Sequence, residues 1–266
     1  MYTKEILLSH LKKSGVPQDR PVLVHTSLKK IGPVEGGAET VLSTLREHIT
    51  AHGGILMIPT HTWDNFMEGK EYTLDLSHHM PCLGVLPMIA AAHPSAIISE
   101  NPTHSIAFFG DRERILSYIE PERRVITPAS PVGCYGKLAE ERGEVLLLGV
   151  DQTKNTFLHA LEEKFLGNIR YTKEPVLMKI RYGDGSVAKR PFYAFDESKI
   201  GDVSERFEKF DPPFRKYGAV FDGVFGNAKT RLCNAKKMEK VLEMIYRKAA
   251  GKELLADLDP IPEAWY

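Results

Sequence analysis

The chain has 266 residues, 42% of them hydrophobic and 26% charged, and its 35 basic side chains balance 35 acidic ones to a formal net charge of +0. A chain of this length buries most of the apolar surface of its unfolded form, so a disulfide-stapled miniprotein is excluded. The composition is ordinary for a globular protein, and without net positive charge there is no general field to draw in nucleic acid or an anionic membrane, so an enzyme acting on small molecules is the leading expectation.

Residues 1–14 set Ile6, Leu7, Leu8 and Leu11 among Lys4, Glu5, Lys12 and Lys13, the pattern of an amphipathic helix rather than a signal peptide. Residues 21–25 (PVLVH) read as a buried strand, after which Gly36-Gly37 opens a helix with Val41, Leu42, Leu45 and Ile49 on one face, closed by Gly53-Gly54. Residues 55–59 (ILMIP) give a second strand and 83–92 a second helix. The apolar run from 83 to 98 is cut by Pro87, His93 and Pro94 below the about 20 residues of a membrane span, so no membrane partner is expected. A strand at 106–109, a helix at 112–119, the apolar strand 144–150 (EVLLLGV) and a helix at 155–166 follow. Apolar runs without alternation predict a sheet covered on both faces.

After Tyr171 the pattern changes. Residues 176–182 alternate, Asp184-Gly185 supplies a hairpin turn, and 186–195 return as a second strand. A short helix at 204–210, strands at 219–224 and 229–233, and a long amphipathic helix at 235–249 precede a segment, 254–266, that holds Pro260 and Pro262 and reads as a C-terminal tail. The expected fold is α/β, a single domain over 1–266 with a mixed central sheet covered by helices and an antiparallel hairpin insertion.

Several motifs mislead or are missing. Gly183-Asp184-Gly185-Ser186-Val187-Ala188 spells a dinucleotide fingerprint, but it sits in a hairpin with no helix after it. No phosphate-binding GxxxxGK[ST] loop and no GxSxG elbow occurs. Cys82, Cys134 and Cys233 are odd in number and form no CxxC pair, which fits reduced thiols and a cytoplasmic location. His48 and His52 are four apart and His78-His79 adjoin, but neither pair has a carboxylate or cysteine in ligand spacing; both read as surface histidines, and no metal is expected.

Five stretches carry a resemblance when taken in order. They are His25-Thr26-Ser27-Leu28-Lys29-Lys30-Ile31-Gly32 with Gly36-Gly37, then Met57-Ile58-Pro59-Thr60, Ser130-Pro131 before Leu146-Leu147-Leu148-Gly149-Val150, Asn155-Thr156-Phe157-Leu158-His159-Ala160-Leu161-Glu162, and Gly226-Asn227-Ala228 with Arg231-Leu232. This order resembles the antibiotic N-acetyltransferase family, whose type enzymes are the aminoglycoside 3-N-acetyltransferases. The resemblance implies acetyl transfer from acetyl-coenzyme A, as co-substrate, to a primary amine. It also implies that His25, Thr26, Ser27, Leu28, Gly36, Gly37, Thr60, Ser105 and Thr156 bind the cofactor, with Trp63 and Asp64 meeting the amine.

The residues can be read physically beside it. Thr26 and Ser27 stand where the first strand ends, the edge at which α/β sheets present ligand groups. Gly36-Gly37 opens a helix whose free N–H groups could hold a pyrophosphate; on the residues alone a plain strand-to-helix turn is the readier explanation, and it is the resemblance that favours the ligand. His159 and Glu162, three apart on a helix, share a face, so the carboxylate can orient an imidazole that deprotonates the attacking amine. Hydroxyl or backbone donors near Thr156 or Ser105 would stabilise the oxyanion. An alternative route passes an acetyl group through Cys134, and a third reading is a coenzyme A-binding protein without catalysis.

Many family members carry R-S-x-H-P where this chain has Ile98-Ser99-Glu100-Asn101-Pro102, so arginine is replaced by Ile98 and histidine by Asn101. The region from 63 to 80 is also shorter than the family's tryptophan- and proline-rich segment. Asp64, Glu68, Asp75 and Glu100 are the acidic candidates for a cationic acceptor there. The acceptor therefore spans aminoglycosides and other amino sugars or metabolites, and a homodimer is left open.

Overall fold

Side chains alternate across a strand, and along three parallel strands that alternation builds two cores from one sheet. The computed structural model describes residues 1–66, 73–198 and 200–266. In chain order the elements are α1 (Lys4–Lys13), β1 (Pro21–Thr26), α2 (Leu28–Ile31), α3 (Gly37–Ile49), β2 (Ile55–Pro59), β3 (Thr73–Asp75), α4 (Val85–Ala92), β4 (Ile97–Ile98), β5 (Ile106–Phe109) and α5 (Arg112–Ile119). They continue with α6 (Lys137–Glu140), β6 (Glu144–Leu148), α7 (Phe157–Leu166), β7 (Val176–Arg181), β8 (Val187–Phe192), α8 (Asp211–Lys216), β9 (Val220–Phe225), β10 (Ala228–Asn234) and α9 (Ala235–Ala249).

The main sheet has the order β4-β5-β2-β1-β6-β10-β9. Its centre is parallel, with β1 pairing β2 and β6, and its flanks are antiparallel through β5 on one side and β10 on the other. Leu23, Met57, Val145 and Leu147 point to the face covered by α5, α7 and α9, whereas Val22, Val24, Leu56, Leu146 and Leu148 meet α1, α3 and α4 on the other. By the same alternation His25 joins Leu23 on the α7 face. The apolar runs PVLV, ILMI and VLLL are continuous because both faces are covered.

The hairpin β7–β8 forms with Arg181 opposite Val187, and β3 adds to β7 in parallel as a third strand, a pairing across about a hundred residues that no local pattern announces. The hairpin is tied to the main body by Tyr193 N–H donating to the Ile126 carbonyl at 2.8 Å and Arg190 donating to the Glu122 carbonyl at 2.7 Å. Residues 204–210 are helical as expected, but as a 3-10 helix, Val203–Phe210.

Gly226 turns β9 into β10 at φ +62°, and a Cβ there would lie 2.4 Å from the Ile31 carbonyl oxygen. The next residue, Asn227, donates its N–H to that same oxygen at 2.9 Å. The late Gly-Asn-Ala motif thus closes the end of α2, the short helix whose start carries Ser27 and Leu28.

The 254–266 segment is docked rather than free. Leu254, Leu255 and Ile261 are buried in the α7–α9 core, and Trp265 and Tyr266 pack against it. Leu255→Ala should therefore cost about 2–5 kcal/mol in urea denaturation, against less than about 0.5 kcal/mol for Leu258→Ala, whose side chain is 75% exposed. Equal midpoints for the two variants would contradict the docking.

Candidate active site at the carboxyl edge of the parallel strands

β1, β2 and β6 all end on the same edge, and a cavity of about 810 Å³ opens there. Its floor is Val24 to Lys29 from β1 and α2, Ile58 and Pro59 from β2, and Val150 with Thr153 to Thr156 after β6; His159 enters from α7. Leu83 to Pro87 at the start of α4 form one wall, and 194–197 with 201–204, the chain that leaves the hairpin, form another.

Four histidines converge on this space. The rings of His61 and His104 lie 4.3 Å apart, His61 Nε2 is 2.9 Å from the Tyr135 hydroxyl, and His104 Nδ1 is 2.9 Å from the Thr103 hydroxyl. His159 is held between Phe195 and Phe207, each 4.8 Å from its ring. Desolvation dominates all four: burial pushes His25 and His104 down to about 3 and His159 to about 4, and His61 falls well below the usual imidazole range under burial and its neighbouring rings. All four are neutral at pH 7. Asn101 is buried and donates to the Pro128 carbonyl at 3.0 Å while its side-chain oxygen accepts the His104 N–H at 2.9 Å, so it fixes the loop that brings His104 in.

Behind His159, Glu162 is 1% exposed with its Oε2 3.9 Å from His159 Nδ1. Neither atom has a hydrogen-bond partner among the described residues. The pair faces each other at ion-pair distance, just beyond a hydrogen bond. The other carboxylate oxygen accepts from Arg170, at 2.9 Å from Nη2, and from the Tyr246 hydroxyl at 3.4 Å. Burial pushes Glu162 up to about 7, while Arg170 and Tyr246 pull it back down.

Of the residues singled out in the sequence, His25, Thr26, Ser27, Leu28, Trp63, Thr156 and His159 line the cavity, and Glu162 lies directly behind it. Gly36, Gly37, Thr60, Ser105 and Asp64 are not among the lining residues. Gly36 and Gly37 are exposed at the start of α3. Thr60 and Ser105 are fully buried with their hydroxyls 3.2 Å apart, and Ser105 donates to the Thr60 carbonyl at 2.8 Å, so the Ser105 proton is not free for an oxyanion.

Cys134 is packed in the core with its Sγ 3.7 Å from the Tyr118 carbonyl, and burial holds the thiol well above its ordinary range, so the acetyl-cysteine alternative lacks both access and a thiolate. His48 is likewise no surface group: it is buried, with Nε2 2.8 Å from the Val16 carbonyl and Nδ1 3.0 Å from Gln18. Of the acidic candidates, Asp75 pairs with Arg181 at 3.1 Å, Glu100 pairs with Arg123 at 2.9 Å, and Glu68 lies outside the described residues. Among the described residues no group of three or more His, Cys, Asp or Glu is arranged to hold a metal ion, and no helix is long and apolar enough to cross a membrane.

Sequence reading missed His61, His104, Arg170, Phe195 and the rim carboxylates Asp196, Glu197 and Asp202 as parts of one site. The signal for His61 was its place directly after the strand end Pro59-Thr60. The others arrive from the loop at 101–104 and the exit of the hairpin.

The sequence and the fold have counterparts among known proteins. A family model described as aminoglycoside 3-N-acetyltransferase matches residues 23–246. The chain belongs to this family. It is 27% identical over 258 residues to aminoglycoside N(3)-acetyltransferase III of Salmonella sp, covering 88% of each chain. It is 28% identical over 253 residues to the SPbeta prophage-derived aminoglycoside N(3')-acetyltransferase-like protein YokD of Bacillus subtilis strain 168, covering 86% of this chain and 87% of that one. A histidine-to-alanine variant of aminoglycoside acetyltransferase AAC(3)-IVa, solved in complex with a gentamicin, superposes with a TM-score of 0.75 at 25% identity over 99% of this chain and 93% of that one. AAC-IIIb in its binary complex with CoASH shares the fold at a TM-score of 0.74 and 20% identity, over 90% of this chain and 94% of that one.

The neutral histidines carry a pH signature. Each takes up a proton in the unfolded chain near pH 6.5 but stays neutral when folded, so stability falls on acidification through that window by about 1.4 kcal/mol per pH unit per histidine. His104→Gln should flatten the slope of unfolding free energy against pH by about that amount between about pH 6 and about pH 4. An unchanged slope would show that His104 is protonated in the fold.

Proposed function

We propose that the protein transfers the acetyl group of acetyl-coenzyme A to a primary amine of an aminoglycoside or another amino sugar or metabolite, by direct attack and with His159 as the general base. The observation that carries this reading is the His159–Glu162 pair at the cavity wall, with the imidazole neutral and behind it a carboxylate oxygen that has no hydrogen-bond partner among the described residues.

The cavity suits both substrates. Ser27, Thr153 and Thr156 offer polar contacts to a pantetheine arm along the strand edge, while Lys29 and Lys154 are exposed beside it for phosphates. Asp196, Glu197 and Asp202 line the cavity where the chain leaves the hairpin and suit an ammonium group. Because the chain has no net charge, such local carboxylates must supply the attraction for a cationic acceptor.

His159 then acts in two stages. Its Nε2, the nitrogen turned away from Glu162, removes a proton from the amine as the amine nitrogen bonds to the acetyl carbonyl carbon. When the carbon–sulfur bond breaks, the imidazolium returns that proton to the departing thiolate, which leaves as the free thiol of coenzyme A. Glu162 lowers the cost of the imidazolium in between. Phe195 and Phe207 keep water from the ring.

The active unit is one domain, and free Cys82, Cys134 and Cys233 suit the reducing cytoplasm where acetyl-coenzyme A is supplied. A thiol-release assay with gentamicin-like and tobramycin-like compounds and simple amino sugars should show turnover of at least one. His159→Ala should lower kcat/KM about 10²–10⁴-fold, with Cys134→Ala close to wild type and free of a burst. Full activity of His159→Ala would refute the base, and no turnover of any amine would favour the non-catalytic reading.

A further inference from the structure

The contacts of Glu162 do not end at the dyad. Arg170 lines the cavity and forks in two directions: its Nε and Nη2 donate to Glu162 Oε1 at 3.3 and 2.9 Å, and its Nη1 and Nη2 donate to the Glu253 carboxylate at 2.6 and 2.9 Å. Every contact to Glu162 from Arg170 falls on Oε1, which leaves Oε2 turned to His159. Glu253 belongs to the C-terminal segment, beyond the family match at 23–246, and it is held by its own turn, accepting the Leu255 N–H at 2.8 Å, with Leu254 and Leu255 buried next to it.

We propose that Arg170 is a positioning residue for acetyl transfer, clamping Glu162 with its free oxygen toward His159 and itself clamped from behind by Glu253 of the docked C-terminal segment. The proposal rests on the reading of His159 and Glu162 as the working pair. Its physical basis is that a planar guanidinium can serve two carboxylates in fixed directions, which an ammonium cannot. Among the described residues, the groups that face Glu162 are His159 on its own helix, Arg170 and Tyr171 after it, Tyr246 from α9, and Glu253. Arg170 is the one cation among them. Removing it would favour the protonated carboxyl, which cannot support an imidazolium, so activity would be lost at a higher pH than in the wild type.

The test is kcat and the acetyl-coenzyme A KM of Arg170→Met, Arg170→Lys, Glu253→Gln and Glu162→Gln, measured from about pH 5.5 to about pH 9 with an accepted amine. Arg170→Met should lower kcat about tenfold or more, change that KM less than about threefold, and move the acid limb of kcat upward by about one pH unit. Arg170→Lys keeps the charge without the fork and should keep the limb in place while recovering part of kcat. Glu253→Gln should lower kcat about threefold or more at pH 7 with the KM unchanged. Wild-type kcat and pH profile in a folded Arg170→Met protein overturn the proposal. If that variant does not fold, wild-type kcat in both Arg170→Lys and Glu253→Gln overturns it. Wild-type kcat in Glu162→Gln instead refutes the reading of the pair on which it rests, an outcome separate from the other two.

Discussion

Taking an imidazole and a carboxylate out of water penalises the charged form of each, so a buried pair tends toward two neutral groups unless its surroundings intervene. His159 and Glu162 are in that condition: burial lowers the one to about 4 and raises the other to about 7. For a base that must accept a proton from an amine, a neutral imidazole at rest is an advantage. In the proposed reaction the imidazolium formed on the way would be unfavourable in the same dry site unless a negative charge faced it, the role proposed for Glu162, whose Oε2 lies 3.9 Å from His159 Nδ1.

The rest of the fold can be understood as the means of holding that pair dry yet reachable. Parallel β1, β2 and β6 end together and leave their carboxyl edge open, while α7 packs its apolar face on the sheet and brings His159 to that edge with Glu162 one turn deeper. The hairpin is not ornament: the chain leaving β8 delivers Phe195, which contacts the His159, His104 and Tyr171 rings and closes the pair from the side. The Gly226–Asn227 turn, far away in sequence, fixes α2 and so the floor formed by Ser27 and Leu28.

The legible part of this design was the local part. Both-faced strands announce themselves as apolar runs, Asp184-Gly185 marks a hairpin, and the three-residue spacing of His159 and Glu162 places them on one helix face. What stayed hidden is non-local. Nothing near Thr73 to Asp75 indicates pairing with β7, and nothing near Arg170 indicates that its partners are Glu162 and Glu253. His61 and His104 meet only because β2 and β5 are antiparallel neighbours whose adjoining loops lie side by side. Burial of short segments is equally hard to read: the terminus read as a tail because it holds Pro260 and Pro262, yet its Leu254, Leu255 and Ile261 fill the α7–α9 core. Ser105 and Gly36-Gly37 show the converse. Their residue types suit a ligand, but the fold spends the Ser105 proton on the Thr60 carbonyl and leaves the glycines outside the cavity wall.

The dry, neutral state of His159 is the condition on which the proposed chemistry turns, and it can be observed without substrate. In protein carrying isotope-labelled histidine, with the His159 ring signals assigned by their loss in His159→Gln, imidazole NMR between about pH 8 and about pH 4.5 reports the protonation state of that ring directly. The expected result is a neutral ring down to about pH 5 or below. A ring that titrates at or above the ordinary histidine value of about 6.5 would contradict it, because His159 would then be solvated or charged at rest rather than a dehydrated base.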